Sequence, residues 1–226
     1  EKATGRRILS EMKGLARCLE ESDHLLVYFA GHGELDDLSG DGYWIPADGT
    51  ADRSREWITN SAVRSILGGT DTKLGHLLVV ADSCYSGSLL QSDDLPVSVA
   101  RSGANGRARG RRSAGNVPDG IPKSQLPRLW GLRKSRQVIT SGGLAPVSDA
   151  GSGDHSPFAH ALLRALRQNR EKFFDAERLF AQIWNSVSNS IQRPQYGRMR
   201  SAGEAEGQFV FHRQSAPNPQ GFPSCG

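Results

Sequence analysis

At 226 residues, 37% of them hydrophobic, the chain can bury one substantial core, and one domain is the expected count. No run of about eighteen apolar residues is present, so no membrane-spanning segment is expected. Three widely spaced cysteines do not suggest a disulfide framework, and a reducing, cytoplasmic setting fits them. The opening Glu1-Lys2-Ala3-Thr4 has neither an initiator Met nor a signal peptide, so Glu1 is not expected to be the first residue of the gene product.

In chain order, Ile8, Leu9, Met12, Leu15, Ala16 and Leu19 recur at helical spacing and predict an amphipathic helix over 5–21. His24-Leu25-Leu26-Val27-Tyr28-Phe29-Ala30 reads as a buried strand. It runs into Gly31-His32-Gly33, where the glycines let the chain turn sharply. A polar loop over 34–42 follows, then a short extended piece from Tyr43 to Asp48, with Asp41-Gly42 as a hairpin signal. Four acidic residues in that loop raise calcium as a ligand, but the spacing is not that of an EF-hand and a solvated acidic turn is the simpler account. Asn60 reads as the cap of a helix over 62–67 that Gly68-Gly69 stops. Such a crossover is what two parallel strands require.

A second buried strand, His76-Leu77-Leu78-Val79-Val80, leads into Ala81-Asp82-Ser83-Cys84-Tyr85-Ser86-Gly87. If the two strands are parallel neighbours, His32 and Cys84 face each other across the crevice at their carboxyl ends. An imidazole that takes a thiol's proton makes it a nucleophile at neutral pH. A lone cysteine after a strand is ordinarily a small buried hydrophobe, and Cys18 and Cys225 stay in that class. Asp82, two residues before Cys84, points to the same side if the loop is extended. A carboxylate there would attract a cationic substrate side chain or, more plainly, cap a nearby amide.

Composition changes over 91–136. Between Arg101 and Arg136 lie ten Lys or Arg and one acid, Asp119, which leaves 18 bases against 23 acids elsewhere. The basic character of the chain resides in this segment, expected to be a mobile insert. It reads as a solvated loop, as a processing loop cut at Arg101, Arg107, Arg109, Arg111 or Arg112, or as a weak nucleic-acid contact short of stacking aromatics. Nucleic acid is the least favoured partner. Beyond it, Gln137–Thr140 reads as a third strand, Ser156-Pro157 as a capped helix start, Asp175 as the start of another helix, and Phe209-Val210-Phe211 as a last strand.

Tyr28-Phe29-Ala30-Gly31-His32-Gly33 and Asp82-Ser83-Cys84-Tyr85-Ser86-Gly87 resemble the histidine and cysteine motifs of caspase-like cysteine peptidases, in the metacaspase and bacterial orthocaspase branch. His32 precedes Cys84 by 52 positions, close to the separation known for caspases. Thr140-Ser141-Gly142-Gly143, Pro194-Gln195-Tyr196-Gly197 and Gln208-Phe209-Val210-Phe211 also resemble bacterial members. The resemblance implies an α/β three-layer sandwich with a mostly parallel central sheet, spanning 1–214, with a loose tail over 215–226. It implies that a strand, a helix and a strand are absent upstream. It also implies cysteine endopeptidase activity on protein or peptide substrates, with Cys84 as nucleophile and His32 as base. The N–H groups of Gly33 and Cys84 are expected to form the oxyanion hole. By resemblance Asp82 floors a pocket for Arg or Lys, Ser141 lines it, and Ala30 stands where many eukaryotic members have Ser. Asp48 matches one ligand of the family's calcium site, but neutral Asn60, Ser61 and Gln91 stand at the others, so no metal or cofactor is expected. The rival readings are a partner-activated enzyme and a non-catalytic interaction module.

Overall fold

The computed structural model describes residues 2–69, 72–90, 133–142, 155–187, 193–199 and 207–213. Helix α1 (Gly5–Cys18) starts on Thr4, whose hydroxyl accepts the Arg7 N–H, and on Asp48, whose Oδ1 accepts the Gly5 N–H at 2.8 Å. It ends earlier than the periodicity predicts because Leu19 has already left helical backbone, with φ −78° and ψ 140°. Strand β1 (His24–Ala30) has the predicted bounds but is not the buried strand expected: among the described residues it is the edge of its sheet, its residues alternate between exposed and half-buried, and Leu26 and Tyr28 are exposed. Strands β2 (Gly33–Leu35) and β3 (Gly42–Trp44) form a hairpin whose loop is residues 36–41, so the expected polar loop starts two residues later and Asp41-Gly42 enters β3 instead of making a two-residue turn; β4 (Ile58–Thr59) pairs with β3.

Helix α2 (Asn60–Gly68) corrects one expectation. Its cap is Thr59, in extended backbone, whose Oγ1 accepts the Ala62 N–H at 2.9 Å. Asn60 is already inside the helix, and its amide is turned to Ser88 instead. Strand β5 (His76–Asp82) outlasts its apolar run because Ala81 and Asp82 still pair with Phe29 and Ala30. Strand β6 (Ser135–Thr140) begins two residues early, inside the basic segment. Arg136 is buried there and donates to the Leu74 and Gly75 carbonyls at 2.6 and 3.0 Å. The rest of that segment through residue 132, and the tail, lie outside the described residues.

Helix α3 (Pro157–Gln168) starts on Ser156, whose Oγ accepts the Ala159 N–H at 2.9 Å, with proline in its first turn as expected. Strand β7 (Phe173–Asp175) leads into α4 (Ala176–Val187), which Asp175 caps through the Arg178 N–H at 2.8 Å. Strands β8 (Gln195–Arg198) and β9 (Val210–His212) follow.

The central sheet has the order β1-β5-β6-β8, parallel except for β8, which runs antiparallel to β6. Successive β5 side chains go to opposite faces. Leu78 and Val80 meet Phe158, Leu162, Leu179, Phe180 and Ile183 from α3 and α4. Leu77, Val79 and Ala81 meet Met12, Val63 and Leu67 from α1 and α2. The result is a three-layer α/β sandwich whose fully buried middle strand ends at Asp82.

Candidate active site

The site follows from one register. Strand β1 pairs with β5 in parallel from His24↔His76 through Ala30↔Asp82, so each β1 residue faces the residue 52 positions further on. That offset equals the spacing of His32 and Cys84, which therefore stand at matching positions, two residues past the paired strand ends. Gly31 carries the pairing one step beyond, donating its N–H to the Asp82 carbonyl at 3.3 Å. His32 is exposed, and Cys84 is half-buried and a free thiol. The carboxyl edge of the sheet thus presents an imidazole and a thiol on adjacent strand exits.

Each exit is shaped by its neighbours. Phe29 stacks on buried Trp44 with ring centroids 4.3 Å apart, and the Ile45 N–H bonds the His32 carbonyl at 3.0 Å. These contacts fold the His32 turn back over the sheet. Gly33 lies so close to the second exit that a Cβ there would run into the Cys84 carbonyl oxygen and the Ser83 hydroxyl. The Ser83 hydroxyl donates to the Cys84 carbonyl at 3.3 Å, and the Ser86 hydroxyl to the Ser83 carbonyl at 2.8 Å. Tyr85 adopts the left-handed conformation, φ 57°, before a 3-10 turn over Ser86–Leu89. A non-glycine residue in that region is costly and persists only where its surroundings over-determine it.

Asp82 ends β5 at the carboxyl edge of the sheet. It is flanked by Ala30 on β1 and, on the other side, by the end of β6, where the Ser141 N–H bonds the Ala81 carbonyl at 2.9 Å. Ser141 is fully buried, and among the described residues its hydroxyl has no hydrogen-bond partner. The Ser156 hydroxyl donates to Asp82 Oδ2 while its oxygen caps α3. Sequence reading identifies Ser156 as a cap but not as a partner of Asp82, because the two are 74 residues apart. Burial, then the Asp82 carboxylate, hold the Tyr28 phenol above its ordinary pKa, so that ring lies in the field of the same charge.

The other predicted positions are scattered. Asp48 is engaged with the start of α1, Asn60 bonds Ser88, and Ser61 Oγ donates to Thr59 Oγ1 at 3.0 Å. Gln91, Arg101, Arg107, Arg109, Arg111 and Arg112 lie outside the described residues. Among the described residues, no three His, Cys, Asp or Glu side chains converge as a metal site. Cys18, read from sequence as an ordinary thiol, is disulfide-bonded, which leaves the thiol chemistry of the described chain to Cys84.

Comparison with known proteins gives this arrangement a lineage. A search of curated proteins finds no match. A crystal structure of protein GSU0716 from Geobacter sulfurreducens is similar with a TM-score of 0.51 and 18% identity, covering 87% of this chain and 74% of that one. At that identity the likeness speaks for the fold alone. The family model of the caspase domain, peptidase family C14, matches residues 1–203, a span that takes in both strand exits. The chain therefore belongs to the caspase-domain family of cysteine peptidases.

Proposed function

We propose that the protein is a cysteine endopeptidase of the metacaspase and orthocaspase type, cleaving after Arg or Lys with Cys84 as nucleophile and His32 as base. The observation that carries this reading is the shared register of His32 and Cys84 at adjacent exits of paired parallel strands. His32 takes the thiol proton, and the thiolate attacks the scissile carbonyl to give a tetrahedral oxyanion. The Gly33 and Cys84 N–H groups are proposed as its donors. On collapse, His32 returns the proton to the leaving amine, and a thioester to Cys84 remains. Water, deprotonated by His32, then hydrolyses the thioester and restores the thiol.

Specificity is assigned to Asp82, a carboxylate at the strand end two residues before the nucleophile. The orphaned, buried hydroxyl of Ser141 at the neighbouring strand end supports its place in the same pocket. Calcium-independent activity is proposed, because Asp48 is committed to the Gly5 N–H and neutral Asn60 and Ser61 are bonded within the protein. Arg101, Arg107, Arg109, Arg111 and Arg112 are the proposed self-cleavage sites, since they fit an Asp82 pocket.

The test compares the wild-type protein with Cys84→Ala on fluorogenic peptides ending in Arg, Lys or Asp, with calcium and with chelator, and maps cuts in the chain by mass spectrometry. Release after Arg or Lys, lost in Cys84→Ala and unchanged by chelator, is expected. Release after Asp would overturn the role given to Asp82. Silence toward every peptide would replace this reading with that of a partner-activated enzyme or a non-catalytic interaction module.

A further inference from the structure

The two strand exits are joined by a third element, α2, which lies between them in the chain. Arg64 Nη1 donates to the Ser88 carbonyl at 2.7 Å, on the 3-10 turn that leaves Cys84. Its Nη2 lies 3.5 Å from Asp41 Oδ1, on the segment that returns from the His32 loop into β3. Asp41 Oδ2 is fixed in turn by the Ser61 N–H at 3.0 Å. The side chains of Arg64 and Asp41 are only 14% and 15% exposed, so solvent screens the pair weakly.

Ser88 is the second joint. Its hydroxyl oxygen accepts the Gly42 N–H at 2.9 Å and the Asn60 amide at 2.7 Å, and its own proton reaches the Tyr85 carbonyl at 3.4 Å. Of the backbone bonds internal to the turn, Ser88 N–H to the Tyr85 carbonyl is long at 3.4 Å and Leu90 N–H to the Gly87 carbonyl is ordinary at 3.0 Å. A non-local restraint on the turn comes from α2 through Arg64 and Asn60, and α2's own place is secured by Thr59 and by fully buried Val63 and Leu67.

We infer that Arg64 is a positioning residue: through Ser88 and Asp41 it locks the Cys84 turn to the His32 loop and sets the thiol against the imidazole. It touches no reacting atom. The inference rests on the Cys84 and His32 reading of the site, and its consequence is specific. Truncating Arg64 misaligns the thiol and leaves the Asp82 pocket, on another part of the strand end, in place.

In Arg64→Ala, kcat on an Arg-ending peptide is expected to fall about 10-fold or more while KM stays within about twofold, the signature of lost alignment rather than lost binding. Alkylation of Cys84 by iodoacetamide, followed by mass spectrometry across pH, is expected to need a pH higher by about half a unit or more, because the thiol loses its imidazole partner. Arg64→Lys keeps the charge beside Asp41 but has one nitrogen for two acceptors, so it should recover the melting temperature and little of the rate. Ser88→Ala, which leaves the Arg64–Asp41 pair intact, should shift the alkylation profile the same way. A lowered melting temperature with wild-type kcat and alkylation profile in both Arg64→Ala and Ser88→Ala would overturn the inference and make Arg64 a structural residue only. If the wild-type protein hydrolyses no peptide, the peptidase reading fails, and the alkylation profile still decides the positioning role.

Discussion

Two small side chains carry much of the site, and each can be tested by one change. Gly33 is glycine because the Cys84 turn passes where its Cβ would be. Its φ lies outside the left-handed range, so Gly33→Ala acts by crowding rather than backbone strain. The two exits must separate, and a displacement near 1 Å costs about 10²-fold in rate. A fall of that order in kcat/KM with a two-state melt retained is expected; wild-type kinetics would mean the exits are not in working contact. Ser156 does two jobs with one hydroxyl, capping α3 and donating to Asp82. Ser156→Ala should cost about 1 kcal/mol of stability through the lost cap. It should also raise KM for Arg and Lys peptides several-fold, because Asp82 loses the donor that orients it. Ser156→Thr, which can still cap and donate, should restore both, and a KM unmoved in Ser156→Ala would separate Asp82 from specificity.

At the scale of elements, the chain announces what is local and hides what is not. Strand β1 and the start of α3 are legible because an apolar run and a Ser-Pro cap are properties of consecutive residues. The proposed pairing of His32 with Cys84 draws on a less obvious property of the chain, that their spacing equals the ladder offset of β1 and β5. Asn60 misleads because asparagine is a good cap, and only the position of Ser88 explains why its amide turns elsewhere. Strands β7 and β8 escape sequence reading because they are short and lack apolar alternation. What holds β8 is a buried polar knot. Gln137 Nε2 donates to the Tyr196 hydroxyl at 2.8 Å and to Gln208 Oε1 at 2.7 Å, and Gln137 Oε1 accepts the Phe209 N–H at 2.9 Å. Partners as much as 72 residues apart leave no periodic trace. The Pro194-to-Gly197 and Gln208-to-Phe211 motifs are thus architecture, while the two strand-exit motifs are the ones to which the proposed chemistry is assigned. The Asp82–Ser156 bond and the Arg64 bridge belong to the same non-local class, which is why neither could be read from the chain.

Over the whole molecule, the two ends of the sheet carry different groups. The carboxyl end holds the proposed dyad, and the opposite end holds a pair of histidines. His24 stacks on buried His76 with ring centroids 4.3 Å apart, and its edge meets Phe209. His76 Nδ1 lies 3.0 Å from the Ser135 hydroxyl. Burial, then the neighbouring His76, lower the His24 pKa from 6.5 to about 4, against a smaller opposing pull from Asp23. Between those values the unfolded chain binds a proton that the folded chain refuses. Stability from this end is therefore full above about pH 6.5 and is lost as pH falls toward 4. Because His24 keeps substantial contact with solvent, the loss is discounted to about 1–2 kcal/mol. Urea midpoints of the wild-type protein should fall between pH 7.5 and 5, and those of His24→Gln should fall less over the same interval. Subtracting the variant removes the contributions common to both proteins. Equal slopes would show that the histidine stack bears no load. The expected difference would mean that acid weakens the entry of β1 and β5, the two strands whose exits carry the proposed His32 and Cys84, so that any loss of activity in acid has a structural part.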